Sequence, residues 1–99
     1  MNLTLMTDAE ILQMIASRAK EVRISNDLRQ SDLSQKSGVP LSSIRVFERS
    51  GSISLVYLVK ILRSLSLVEE LDGLFQSPEI TDLKAALKET GKSRKRVRK

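Results

Sequence analysis

An all-α fold follows from three properties of this 99-residue chain. Its apolar residues recur at three- and four-residue intervals, the period of a helix with one buried face. Only three aromatics (Phe47, Tyr57 and Phe75) are present, so the interior must be built from Leu, Ile, Val and Met. That composition suits packed helices better than a sandwich, which needs far more β-branched alternation. Capping and stop signals also break the pattern into helix-sized pieces. The length allows one small domain with an adequate core.

Thr7-Asp8-Ala9-Glu10 is a capping box, with Met6 and Ile11 at the staple positions around it. A first helix therefore runs from about Asp8 to Ile24, burying Ile11, Ile15, Ala19 and Val22, until Asn26-Asp27 breaks it. A second covers about Gln30 to Ser37 with Leu33 inward, and Gly38 supplies the positive φ that ends it sharply. A third spans about Leu41 to Arg49, burying Ile44 and Phe47, and Ser50-Gly51-Ser52 ends it. Ser54 is the N-cap of a fourth, which buries Leu55, Leu58, Val59 and Leu62. Ser66-Leu67-Val68-Glu69 reads as a second capping box, so a fifth helix runs from about Leu67 to Phe75 or Gln76, stopped by Ser77-Pro78. A short amphipathic piece, Thr81 to Glu89, carries Leu83 and Leu87, and beyond Gly91 like charges predict disorder. The organisation expected is a domain at 7–76, a short helical extension at 77–90 and a basic tail at 91–99.

Charge is unevenly spread. Seventeen Lys and Arg against twelve Asp and Glu give +5. Six of the basic residues (Lys92, Arg94, Lys95, Arg96, Arg98 and Lys99) lie in the last nine positions, and without them the body is at −1. The second and third helices and their surroundings are nevertheless basic: Arg18, Lys20, Arg23, Arg29, Lys36, Arg45 and Arg49 meet only Glu21, Asp27, Asp32 and Glu48. A basic face opposite a more acidic C-terminal half is a footprint for nucleic acid. With no cysteine and no histidine, disulfides, the usual zinc sites and imidazole or thiol catalysis are excluded, and no cofactor is implied. The carboxylates show no pairing suited to acid–base catalysis, so an enzyme is not expected. No apolar run approaches the roughly 18 residues of a membrane span and no secretory signal is visible, so a cytoplasmic protein is expected.

Two short amphipathic helices flanking the Gly38 turn have the layout of a helix-turn-helix, whose second helix can lie in the major groove of DNA. Residues 11 to 71 resemble the phage-repressor (Cro, XRE-type) family. The resemblance is carried by the arginines of the first helix, Gln30, Leu33, Ser34, Gly38-Val39, Ile44, Glu48-Arg49 and the leucine-rich run from Leu55 to Leu67. It implies a five-helix lambda-repressor-like DNA-binding domain. A narrower, looser similarity, from Lys60 through Leu74 with Ser77-Pro78 and the tail, is to HipB-like antitoxins, small autoregulatory repressors that accompany a HipA-type kinase toxin.

The third helix presents Leu41, Ser42, Arg45 and Arg49 away from Ile44 and Phe47. Arg45 is the best candidate for reading a guanine edge; its alternative is a solvated or phosphate-bound arginine. Ser42 and Ser43 either contact DNA or cap their helix. Leu41 stands where a polar residue is common and either touches a thymine methyl or packs locally. The resemblance places Gln30 on a phosphate at the start of the second helix. Arg29 precedes it where Ser or Thr is usual, which removes a cap and adds a phosphate-seeking charge. The resemblance also implies a partly buried ion pair between Arg23 and Glu48. Val68, Leu71, Leu74 and Phe75 are expected to form a homodimer surface, the alternative being that they close the monomer core. The basic tail either meets DNA, meets an acidic partner or solvates the chain end. The function expected is sequence-specific repression from a near-palindromic operator, as a HipB-like antitoxin. The alternatives are a stand-alone or phage-type regulator, or a toxin-sequestering protein with secondary DNA binding.

Overall fold

The first long helix, α1 (Asp8–Ser25), begins where its cap dictates: the Thr7 hydroxyl accepts from the Glu10 amide, and the Glu10 carboxylate accepts from the Thr7 amide. A 3₁₀ turn at Leu3–Leu5 precedes it. The structure is a computed structural model that describes residues 2–76. After α1 come α2 (Gln30–Ser37), α3 (Leu41–Ser50), α4 (Leu55–Ser64) and a 3₁₀ segment at Val68–Gly73. The described residues contain helices and no strand, and none of these helices is long and apolar enough to cross a membrane. The piece expected at Thr81 to Glu89, the Ser77-Pro78 stop and the tail at 91–99 lie outside the described residues.

The chain divides into two units, Met1–Glu69 and Glu70–Lys99, a boundary inside the stretch the sequence assigns to one domain. In the first unit α1 packs on α3, and α2 packs on both α3 and α4. Their shared core is Ala16 and Ala19 of α1, Leu33 of α2, Val39 of the connecting turn, Ile44 and Phe47 of α3, with Ile61 and Leu65 from the α4 end. Val22, Leu28, Ile53, Tyr57, Leu58 and Leu67 pack around it.

The structure corrects three expectations. The inward seam of α1 runs through Ala16, Ala19 and Arg23, while Ile11 and Val22 are half-buried and Ile15 is 38% exposed. Small residues in the seam let a neighbouring backbone approach closely, so the bulkier aliphatics flank it. In α4 the deepest residue is Ile61; Leu58, Val59 and Leu62 are half-buried, and Leu55, the first helical position, is 73% exposed. Finally, Ser66 does not cap a fifth α-helix. It stands at φ +62°, its amide donates to the Arg63 carbonyl (3.2 Å), and the Leu67 amide donates to the Leu62 carbonyl (2.7 Å). These two bonds form a Schellman motif that closes α4. An N-cap needs extended backbone, so one residue cannot serve both purposes. Beyond Ser66 the described residues form only the 3₁₀ segment Val68–Gly73.

Glycine is required differently at the ends of α2 and α3. Gly38 and Gly51 both take the left-handed conformation (φ +80° and +84°), but a Cβ on Gly38 would meet open space. A Cβ on Gly51 would lie 2.6 Å from both the Cβ and the carbonyl oxygen of Leu12. Gly51→Ala therefore adds overlap with α1 to backbone strain and should cost about 2–4 kcal/mol, against about 1–2 kcal/mol for Gly38→Ala. Paired thermal and urea denaturation of the two variants checks this ordering, which equal losses would contradict.

Candidate nucleic-acid interface

The turn between α2 and α3 is held by its own side chains. Gly38 turns the chain, the Ser34 hydroxyl donates to the Val39 carbonyl (2.7 Å), and the Val39 amide donates to the Ser37 hydroxyl (3.1 Å). Val39 is thereby driven fully into the core, and Pro40 starts α3 with a fixed φ of −57°. The rotation of α3 about its axis is set by Ile44 and Phe47, which are buried against α1 and α2.

With that face inward, Ser42, Arg45, Val46 and Arg49 are exposed on the opposite side. Their i, i+3, i+4, i+7 spacing makes one continuous stripe. Arg45 and Arg49 make no ion pair among the described residues, and neither serine hydroxyl at positions 42 and 43 is engaged there. Pro40 caps α3 without a side-chain acceptor, so capping is not the task of Ser42 or Ser43. Ser43 and Leu41 are half-buried at the edge of the stripe. Val46 is the member of the stripe that sequence reasoning misses. Its signal is present, four residues after Ser42 and three before Arg49, but an apolar residue reads first as core.

Arg29 and Gln30 behave differently from one another. Arg29 precedes α2 without capping it; its Nε and Nη2 instead donate to the Asp32 carboxylate at 3.1 and 3.2 Å. The same carboxylate accepts from the Arg29 amide at 2.8 Å. The pair is solvent-exposed, so it contributes little to stability and leaves the guanidinium exchangeable for a stronger anion. The guanidinium hydrogen bond, followed by that of the amide, holds the Asp32 carboxyl below its usual range.

Gln30 points inward. Its Nε2 donates to Glu48 Oε1 at 2.9 Å. Glu48 also accepts from Arg23, through Nε to Oε2 at 2.6 Å and Nη2 to Oε1 at 3.0 Å, and both side chains are over nine-tenths buried. The remaining Arg23 nitrogen, Nη1, donates to the Leu28 carbonyl at 2.7 Å. The bidentate pair and its two further bonds thus join α1, α3, the start of α2 and the loop before it. One amide hydrogen of Gln30 is committed to this cluster rather than to solvent.

The residues expected at a subunit contact are split. Val68 and Leu71 are half-buried, whereas Leu74 and Phe75 are 54% and 91% exposed. Compared with known proteins, the chain matches no family model and no curated relative.

The buried pair and the exposed pair predict different behaviour. Removing either partner of Arg23–Glu48 strands a buried charge, so Arg23→Ala and Glu48→Ala should each cost about 3–5 kcal/mol. An Arg23→Met, Glu48→Leu double variant should lose much less than the sum, and additive losses in denaturant titrations would contradict the coupling. Because the Asp32 carboxyl is depressed in the folded chain, its contribution is present above the unfolded value of about 3.9 and disappears as pH falls through the lower folded value. Asp32→Asn should accordingly flatten the acid limb of stability below about pH 4 while leaving it pH-independent near neutrality. An unchanged acid limb in pH-resolved melts would count against this.

Proposed function

We propose that this chain is a sequence-specific DNA-binding transcriptional repressor in which α2, the Gly38 turn and α3 act as a helix-turn-helix of the lambda-repressor type. The observation that carries the reading is the exposed stripe Ser42, Arg45, Val46 and Arg49 on a helix whose other face is buried and pinned. Two guanidiniums, a hydroxyl and a valine methyl on one face supply donors for guanine O6 and N7 and an apolar contact for thymine. Arg29, beside the N-terminus of α2, supplies a cation for a flanking phosphate, and the free amides at that helix end add to it.

A ten-residue helix reads only a few base pairs, so the functional unit is a homodimer on a near-palindromic operator. The narrower reading as a HipB-like antitoxin with a kinase toxin rests on the leucine pattern from Lys60 through Leu74 with Ser77-Pro78 and the basic tail, of which only the leucine pattern lies within the described residues. In the structure that pattern is α4 followed by a 3₁₀ segment rather than by a fifth α-helix. The repressor reading does not depend on it.

The test is a titration of the full chain into a labelled duplex from its own promoter region and into a scrambled duplex, at low and physiological salt. A promoter preference of about a hundredfold or more at physiological salt is expected. Arg45→Ala should lose about 1–3 kcal/mol of that preference at one base position while melting as the parent does. Equal affinity for both duplexes, collapsing with salt, would refute the proposal.

A further inference from the structure

The outer face of α4 is built unlike a solvated helix surface. Leu55 and Val56 are 73% and 64% exposed, and with Val59, Lys60 and Arg63 they line one shallow depression. The positions run i, i+1, i+4, i+5 and i+8, a single face opposite the buried Ile61 and Leu65. Neither Lys60 nor Arg63 makes an ion pair among the described residues. The face is therefore an apolar centre with a cationic rim, the anatomy of a docking surface.

The chain carries the complement a few residues later. Glu69, Glu70 and Asp72 make no ion pair among the described residues, and near them in sequence stand the exposed Leu74 and Phe75. Phe75 sits at φ +60°, which is uncommon for a bulky side chain, and is left almost wholly in solvent. Two large apolar side chains preceded in sequence by three carboxylates match three aliphatic side chains beside two cations in both polarity and sign.

We propose that the α4 face of one copy receives the 69–75 segment of a second copy, and that the exchange is reciprocal. In a two-fold dimer each copy offers both halves, so the contact is made twice and closes without leaving a face open. This deepens the dimer of the preceding reading by naming its surfaces. It uses no DNA contact, so its failure leaves operator recognition standing.

Charge reversal tests it on the full chain without DNA. The parent should be a dimer by light scattering at about 10–100 μM, a range where standard-sized interfaces are occupied. Lys60→Glu with Arg63→Glu in one variant, and Glu69→Lys with Glu70→Lys in another, should each raise the dimer Kd at least about tenfold, because like charges then face each other. Mixed in equal amounts, the two variants should recover the dimer: reversed face meets reversed segment, and native face meets native segment. That recovery also shows that both variants are folded. Phe75→Ser should weaken the parent dimer about tenfold as well. A parent that is monomeric at about 100 μM, variants that dimerise as the parent does, or a mixture that stays monomeric would each overturn the proposal.

Discussion

The buried contact between Arg23 and Glu48 is the constraint on which the remaining geometry rests. Taking two charges out of water costs several kcal/mol per ion, and their attraction repays this only when the geometry is good and the other donors are satisfied. Here each guanidinium nitrogen is engaged: Arg23 gives two hydrogen bonds to the carboxylate and one to the Leu28 carbonyl, and Gln30 adds a fourth bond to the cluster. The backbone reinforces it, because the Arg23 carbonyl accepts the Leu28 amide at 3.1 Å as α1 closes. Residues 23 and 28 are thus tied twice, once by main chain and once by side chain. The loop that leads into α2 has little freedom left. Glu48 lies next to Phe47 on α3, so the same cluster and the same core side chain fix how α3 is rotated. The contribution is orientation more than net stability, since a hydrophobic pair of similar size would stabilise about as well.

Legibility in the sequence is mostly a matter of what one residue decides locally. The start of α1 follows from Thr7 and Glu10, the end of α2 from Gly38 and the start of α4 from Ser54, and each lies where its cap puts it. Burial is harder to read, because it depends on which neighbour arrives. Hydrophobicity selects Ile15 over Ala16, yet the close approach of α1 and α3 at Leu12 and Gly51 favours small residues in the seam. The fifth helix fails for a different reason. Ser66 carries the local signal of a capping box with Glu69, but in the structure it is the left-handed residue that closes α4. The end of α4 prevails because its carbonyls are already in place beneath a buried Leu65. Gln30 stands at the first position of α2 as its sequence context predicts, but its partner lies 18 residues away and no local pattern names it.

The charges then separate into three kinds. Arg23 is buried and committed to structure. Arg29 is paired with Asp32 but exposed, so its partner is exchangeable. Arg45, Arg49, Lys60 and Arg63 have no acidic partner among the described residues. Such cations at helical spacing attract anions, and the two stripes differ in the side chains that surround them. Around α3 the companions are a serine and a single valine, a mixture suited to base edges and phosphates. Around α4 they are leucine and valine at the centre of the face, a mixture suited to another protein surface.

The two stripes are linked by arithmetic. A ten-residue helix is about 15 Å long, while successive base pairs rise about 3.4 Å, so α3 alone spans only a few of them. Two copies of α3 engage the same side of a duplex only when their spacing approaches one helical turn, about 34 Å. A dimer formed before binding holds the second α3 at an effective concentration far above that of free protein, and so makes the second half-site nearly intramolecular. On the proposed reading, the α4 contact would govern affinity through the number of copies engaged, and the α3 stripe would govern which sequence is engaged. A change at Lys60 or Arg63 should consequently alter how binding depends on protein concentration, and a change at Arg45 should alter how it depends on sequence.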